Sequence, residues 1–339
     1  MDLNHRPLPC QGWRSNRLTI TSSRCRHKGQ TERDDHMITA VGAVRLAAVM
    51  ERTRGLPEVA VGLIDGPVAL DHPELSIDTI HPIPDGRAAT CSASGSPACM
   101  HGTFVAGMLS ARRGSLAPAI CPGCSLLVRP IFTEHDGGTT PERSTAQDDL
   151  PSATAEELAE AVIEVVNAGA RVLNLSAAIA VASTQGEREL ELALDYAARR
   201  GALVVAAAGN QATVGSTVIT RHRWVIPVVG CDVLGRPMRE SNLASSFGRR
   251  GLRAPGENIT SLAAEGEPIT LSGTSFAAPF VTGALALLWS EFPDASAAEV
   301  KLAVTQFSIQ PRKTLLPPLL DAWSAYKVMA VARTRRKLA

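Results

Sequence analysis

Aromatic side chains are scarce in this chain, 4% of 339 residues, although 45% of the residues are hydrophobic. Small aliphatics must therefore build the core, which suits helices packed closely on a parallel sheet. Charge of one sign is missing too. Lys and Arg number 34 against 33 for Asp and Glu, a formal net charge of +1, so neither nucleic acid nor an anionic membrane is the expected partner. No apolar run reaches the ~18 residues of a membrane span. The nearest, Phe276 to Trp289, is too short, contains Pro279 and reads as a buried core helix. The N-terminal region lacks the apolar segment of a secretory signal, and the expected location is the cytoplasm. Calcium prefers six to eight oxygen ligands. No compact set is present, and Asp71, Glu74 and Asp78 form the one weak candidate site.

The organisation expected is a single domain over residues 37–328. Residues 1–36 mix Arg, Ser, Thr, Pro and isolated Cys without apolar periodicity, so they read as a disordered leader or an over-extended gene start, with Met37 as the true start. Residues 329–339 read as a basic, solvated, frayed tail. Between them strands and helices alternate as a doubly wound sheet requires. Val59 to Ile64 and Ala202 to Ala208 are buried-strand patterns, and Arg171 to Ser176 is a third. Thr154-Ala155-Glu156-Glu157 is a capping box opening an amphipathic helix that ends near Asn167-Ala168-Gly169. Glu187 to Arg200 is the next helix, stopped by Gly201. The polar, Gly- and Thr-rich stretch from Thr133 to Pro151 reads as a loop or insertion.

Four positions carry chemistry. Ser275 lies in Gly273-Thr274-Ser275-Phe276-Ala277-Ala278-Pro279, a small-residue turn opening a helix, where the partial positive charge of the helix N-terminus backs an exposed hydroxyl. Upstream, the first strand ends abruptly at Asp65-Gly66. His101 opens the helix His101-Gly102-Thr103-Phe104-Val105-Ala106-Gly107. An alcohol is inert at neutral pH unless a base takes its proton, and a buried carboxylate must hold that base in the right tautomer. Asn210, just past the end of the Ala202–Ala208 strand, can donate a hydrogen bond to a developing oxyanion.

The order Asp65, His101, Ser275 with Asn210 between resembles the subtilisin-like serine peptidases, over roughly Val59 to Tyr326. Asp71-His72-Pro73-Glu74-Leu75, Arg171 to Ser176, Arg253 to Ile259 and Gly283 match as well. Trp224 to Asp232 and Ser241 through Leu262 are similar to a narrower group, the PatA-like proteases of cyanobactin gene clusters. The resemblance implies an α/β, three-layer subtilisin-like fold, with a mainly parallel twisted sheet and helices on both faces. It implies Asp65 as orienting acid, His101 as general base and Ser275 as nucleophile, with Asn210 and the Ser275 N–H as oxyanion hole. A peptide or protein substrate would bind as an added strand along Ser176-Ala177-Ala178. The expected activity is serine endopeptidase, on a ribosomally made precursor. The alternatives are general intracellular proteolysis and a non-catalytic peptide-binding module. No folding pro-segment fits between Met37 and the first strand. The carboxylate-free Ser110–Gly114 stretch lacks the relatives' calcium loop, and Phe104 and Phe280 replace histidines common in secreted relatives, as core packing.

Cysteine usage leaves options open. Cys91 and Cys99 flank a loop before His101, and Cys121-Pro122-Gly123-Cys124 follows that helix. Local disulfides Cys91–Cys99 and Cys121–Cys124, free thiols, and a four-thiolate zinc site all fit the spacing. A reducing cytosol argues against disulfides and the wider first spacing against zinc; local pairs are the favoured reading. Oligomeric state is not encoded legibly.

Overall fold

A computed structural model describes residues 40–83, 88–132, 134, 153–176, 184–305 and 315–338. The leader 1–36, the 133–151 stretch apart from Glu134, and Ala177-Ala178 lie outside them.

Seven strands form one all-parallel sheet: β1 (Val61–Asp65), β2 (Ile80–Pro82), β3 (Leu126–Pro130), β4 (Val172–Leu175), β5 (Leu203–Ala207), β6 (Val225–Cys231) and β7 (Leu252–Pro255). Their order is β2-β3-β1-β4-β5-β6-β7. The chain moves outward from β1 in one direction, then returns past it to β4, so β1/β4 is the topological switch point, where α/β sheets place their sites beyond the strand C-termini. A separate antiparallel hairpin joins β8 (Ile259–Ser261) and β9 (Ile269–Leu271).

Alternation along each strand divides the core between two faces. Val61, Leu63, Leu126, Val128, Leu203 and Val205 enter one apolar cluster with α1 (Pro97–Ser110) and α4 (Thr274–Glu291). Ile64, Leu127, Leu173, Leu175, Val204 and Ala206 enter the other with α2 (Ala155–Asn167) and α3 (Thr184–Arg199). This is the expected three-layer, doubly wound arrangement. The predicted capping box is present: the Thr154 hydroxyl accepts from Glu157 N–H, and Glu157 accepts from Thr154 N–H. Helix α3 starts three residues earlier than its apolar pattern. Phe104 and Phe280 are fully buried.

The C-terminal tail corrects the reading of a frayed end. After α5 (Ala297–Thr305), residues 322–338 are one helix, α6 (Ala322–Leu338), with Met329 buried. Arg333 lies over the Phe292 ring and Arg336 pairs with Glu299. Arg333 and Arg336 thus touch the domain, while residues 331–336 remain exposed to solvent.

One close approach sets the layer spacing at the site. A Cβ on Gly102 would lie 2.4 Å from the carbonyl oxygens of both Gly66 and Pro67, and one on Gly66 would lie 2.0 Å from that of Ala98. Helix α1 therefore touches the end of β1 backbone to backbone. Ala at an exposed helix position is worth about 1 kcal/mol over Gly, but backbone oxygens cannot yield as a side chain does. Gly102→Ala should instead destabilise the fold by about 2 kcal/mol or more, measured by urea unfolding; unchanged stability would mean that α1 can shift away from β1.

Candidate active site

Asp65 is the last residue of β1 and is wholly buried. Its Oδ1 accepts the Gly66 N–H at 2.7 Å and lies 2.6 Å from His101 Nδ1; Oδ2 has no partner among the described residues. His101 stands in the second turn of α1, and its side chain is 23% exposed. Burial pulls its pKa down, but the charge of Asp65 and the hydrogen bond to it win, and the net direction is up from 6.5. That pair fixes the tautomer: Nδ1–H faces Asp65 and Nε2 is left for chemistry.

Helix α1 is held where this contact needs it. Ser96 caps it by accepting the Cys99 N–H, and Thr103 Oγ1 accepts the Ala69 N–H from the segment after β1. Cys91 and Cys99 are joined by a disulfide, closing the loop that carries Ser96. Glu134 gathers that loop from outside, accepting from Ser92 and Ala93 N–H groups and from the hydroxyls of Ser92 and Ser96.

Between Thr274 and Ser290 of α4, every residue is buried except Ser275. Ser275 is the second residue of the helix, so its N–H has no carbonyl one turn back. The His101 ring lies 5.3 Å from that of Phe276, which meets Phe104 in turn at 4.5 Å in a tilted contact, setting α1 beside the start of α4. The Ser275 hydroxyl donates to the Ser176 carbonyl at 3.3 Å.

A two-way clamp joins this helix start to the end of β5. Gly209 N–H donates to Thr274 Oγ1 at 3.1 Å, and Thr274 N–H donates to Asn210 Oδ1 at 2.9 Å. With Oδ1 accepting from Thr274, Nδ2 has no hydrogen-bond partner among the described residues. Gly209 has φ +97°, a left-handed conformation, and a Cβ there would meet Asn242 Nδ2 at 2.4 Å. Asn242 holds the loop in turn, accepting the N–H groups of Gln211 and Thr213, both at 3.0 Å.

The structure thus brings Asp65, His101, Ser275, Asn210 and Ser176 to one rim of the sheet; Ala177 and Ala178 are outside the described residues. Thr103, Thr274, Asn242 and Glu134 are supports that single-residue reading of the sequence missed. Thr274 alone had a signal, as neighbour of the serine.

The metal-ligand expectations fare differently. Cys121 and Cys124 are buried free thiols, so the expected Cys121–Cys124 disulfide is corrected; with Cys91 and Cys99 bonded to each other, the four thiolates of the expected zinc site are not all available. The two sulfurs are hydrogen-bonded: that bond, then burial, pushes the Cys121 thiol up, and the same bond brings Cys124 down. Asp71, Glu74 and Asp78 do not converge on a shared point among the described residues; Asp71 and Asp78 face solvent. Cys91, Cys99 and Glu134 come within metal-sharing distance, with the two sulfurs already bonded to each other.

A buried carboxylate on an imidazole, beside a serine at a helix start and an oriented amide, is the constellation of alcohol-nucleophile hydrolases. The Peptidase_S8 profile, described as the subtilase family, matches residues 57–313. A thermostable alkaline protease of Halalkalibacterium halodurans is 28% identical over 61% of this chain and 51% of its own length; the chain thus spans about half of that relative. A mutant protease domain of PatA superposes with TM-score 0.70 at 28% identity, covering 82% of this chain and 97% of that one. Prenylagaramide maturation protease PagA gives 0.68 at 26%, covering 83% and 98%. This chain belongs to the subtilase family.

In Asp65→Asn the attraction that raises the imidazole pKa is gone and burial remains. The His101 midpoint, followed by NMR of the ring protons, should fall from above 6.5 to below it. A midpoint that stays above 6.5 would mean that Asp65 does not set it.

Proposed function

We propose that this chain is a serine endopeptidase in which Asp65, His101 and Ser275 act in sequence. The observation that carries the reading is the Asp65–His101 pair beside the half-buried Ser275. His101 Nε2 takes the Ser275 proton as Oγ attacks the scissile carbonyl, and Asp65 balances the imidazolium formed. Ser275 N–H and Asn210 Nδ2 receive the oxyanion. Collapse returns the proton to the leaving amine and leaves an acyl-enzyme, which water hydrolyses by the same route. The peptide lies as an added strand beside the end of β4, where Ser176 offers its carbonyl.

The finer reading is maturation of a ribosomally made precursor. It is supported by the likeness to PatA, solved as a patellamide maturation protease, and to PagA, and by the C-terminal wording noted above. Such an enzyme would cut few bonds.

A fluorophosphonate should label the protein at one site, and Ser275→Ala should abolish labelling. Absence of labelling in folded protein would remove the peptidase reading. Asn210→Ala should lower kcat about 10²–10³-fold with KM little changed. Denatured casein should survive largely intact under conditions that label Ser275 fully; its extensive digestion would favour general proteolysis over maturation.

A further inference from the structure

Asn174 is fully buried in β4, flanked by β1 and β5. A buried amide is costly unless paired, and here both ends are used. The Thr282 hydroxyl of α4 donates to Asn174 Oδ1 at 2.8 Å, and Asn174 Nδ2 donates to Ser176 Oγ at 2.7 Å. The Ser176 hydroxyl then donates to the Ser275 carbonyl at 3.4 Å. The last link exists because of Pro279. It stands four residues after Ser275 inside α4 and has no N–H, so the Ser275 carbonyl lacks its helical donor and accepts from Ser176 instead.

The chain of bonds begins and ends on one helix. Thr282 and Ser275 are seven residues apart, two turns, so both face β4. The end of β4 is pinned to α4 at two heights by these hydrogen bonds. The pinned peptide presents the Ser176 carbonyl to the Ser275 hydroxyl, and that is the hydroxyl's resting acceptor rather than His101.

On the serine-peptidase reading given above, we propose that Asn174 is a positioning residue that makes release of the nucleophile depend on substrate. A peptide added beside β4 donates a main-chain N–H to the Ser176 carbonyl and competes with the Ser275 hydroxyl for it. The hydroxyl turns about its Cα–Cβ bond and donates to His101 Nε2. No bond is made or broken in this step; one hydrogen bond replaces another. Asn174 prevents the strand end from shifting with the incoming peptide, so that capture of the carbonyl is felt by Ser275. Thr282 holds Asn174 in the orientation that does this.

The test uses three irreversible probes on the whole chain: a small fluorophosphonate without an amide, a tripeptidyl diphenyl phosphonate, and the same phosphonate N-methylated at the amide facing Ser176. In the parent protein the N–H probe should react at least tenfold faster than its N-methyl form. In Asn174→Ala that ratio should fall to threefold or less while the fluorophosphonate rate stays within threefold of the parent. Thr282→Val removes one hydroxyl at nearly constant volume and should lower the ratio in the same direction, which keeps the test usable if Asn174→Ala folds poorly. A ratio unchanged in both folded variants overturns the proposal. So does a parallel loss with all three probes, which would mark the bonds as merely structural, or a parent ratio near one. A parent protein unreactive to the fluorophosphonate itself points instead to failure of the serine-peptidase reading.

Discussion

The contact between Asp65 and His101 is the constraint around which this fold is arranged. A carboxylate without solvent exposure must be compensated, and the compensation comes from a side chain on a different layer. For Nδ1 to reach Oδ1, α1 must press against the end of β1 more closely than side chains permit. Gly66 and Gly102 remove the obstacle, and Ser96, Thr103 and the Cys91–Cys99 loop keep the helix there. The small-aliphatic composition follows the same logic, since large side chains between sheet and helix would hold the imidazole away.

The second half of the site obeys a different rule. Ser275 and Asn210 belong to α4 and to the loop after β5, and neither would be oriented by packing alone. Hydrogen bonds to backbone do the orienting: Gly209 N–H donates to the Thr274 hydroxyl, Thr274 N–H donates to the Asn210 carboxamide oxygen, and Asn242 secures the loop beyond. An apolar face decides which layer an element joins, whereas the donor geometry of a few short side chains decides where its reactive atom points. Pro279 belongs to this second rule, because the donor it lacks is the one that Ser176 replaces.

Much of this was legible from the sequence. Uninterrupted apolar runs such as Val59–Ile64 and Ala202–Ala208 can only be strands covered on both faces, and Thr154 with Glu157 marks a helix start without ambiguity. Asp65, Ser275 and Asn210 were legible because each stands at or just past an element boundary, where polar residues are not needed for packing; His101, read as opening its helix, stands instead in the second turn of α1. What escaped was of three kinds. Asn174 and Thr282 sit inside apolar runs, and pattern alone cannot say that a lone polar residue pairs with another 108 positions away. Cys121 and Cys124 have a spacing that also suits a bridge or a metal; a hydrogen bond between buried thiols leaves no mark in spacing. The tail from residue 329 read as frayed because its helix is anchored by Phe292 and Glu299, which lie outside it, while its own exposed basic residues carry no sign of that anchor.

The placement of α4 has a consequence for biosynthesis. During translation Asp65, His101 and their local disulfide emerge early and lie near one another along the chain, so the acid–base half can form from contacts of modest sequence separation. Ser275, the proposed nucleophile, arrives far later, on a helix that is buried almost throughout and that contributes to the same core as the first strand. Until that helix inserts, the partly made chain has a charge pair but no alcohol beside it. The act that completes the core is also the act that creates the reactive centre, so a nascent or unfinished molecule is chemically silent toward its neighbours.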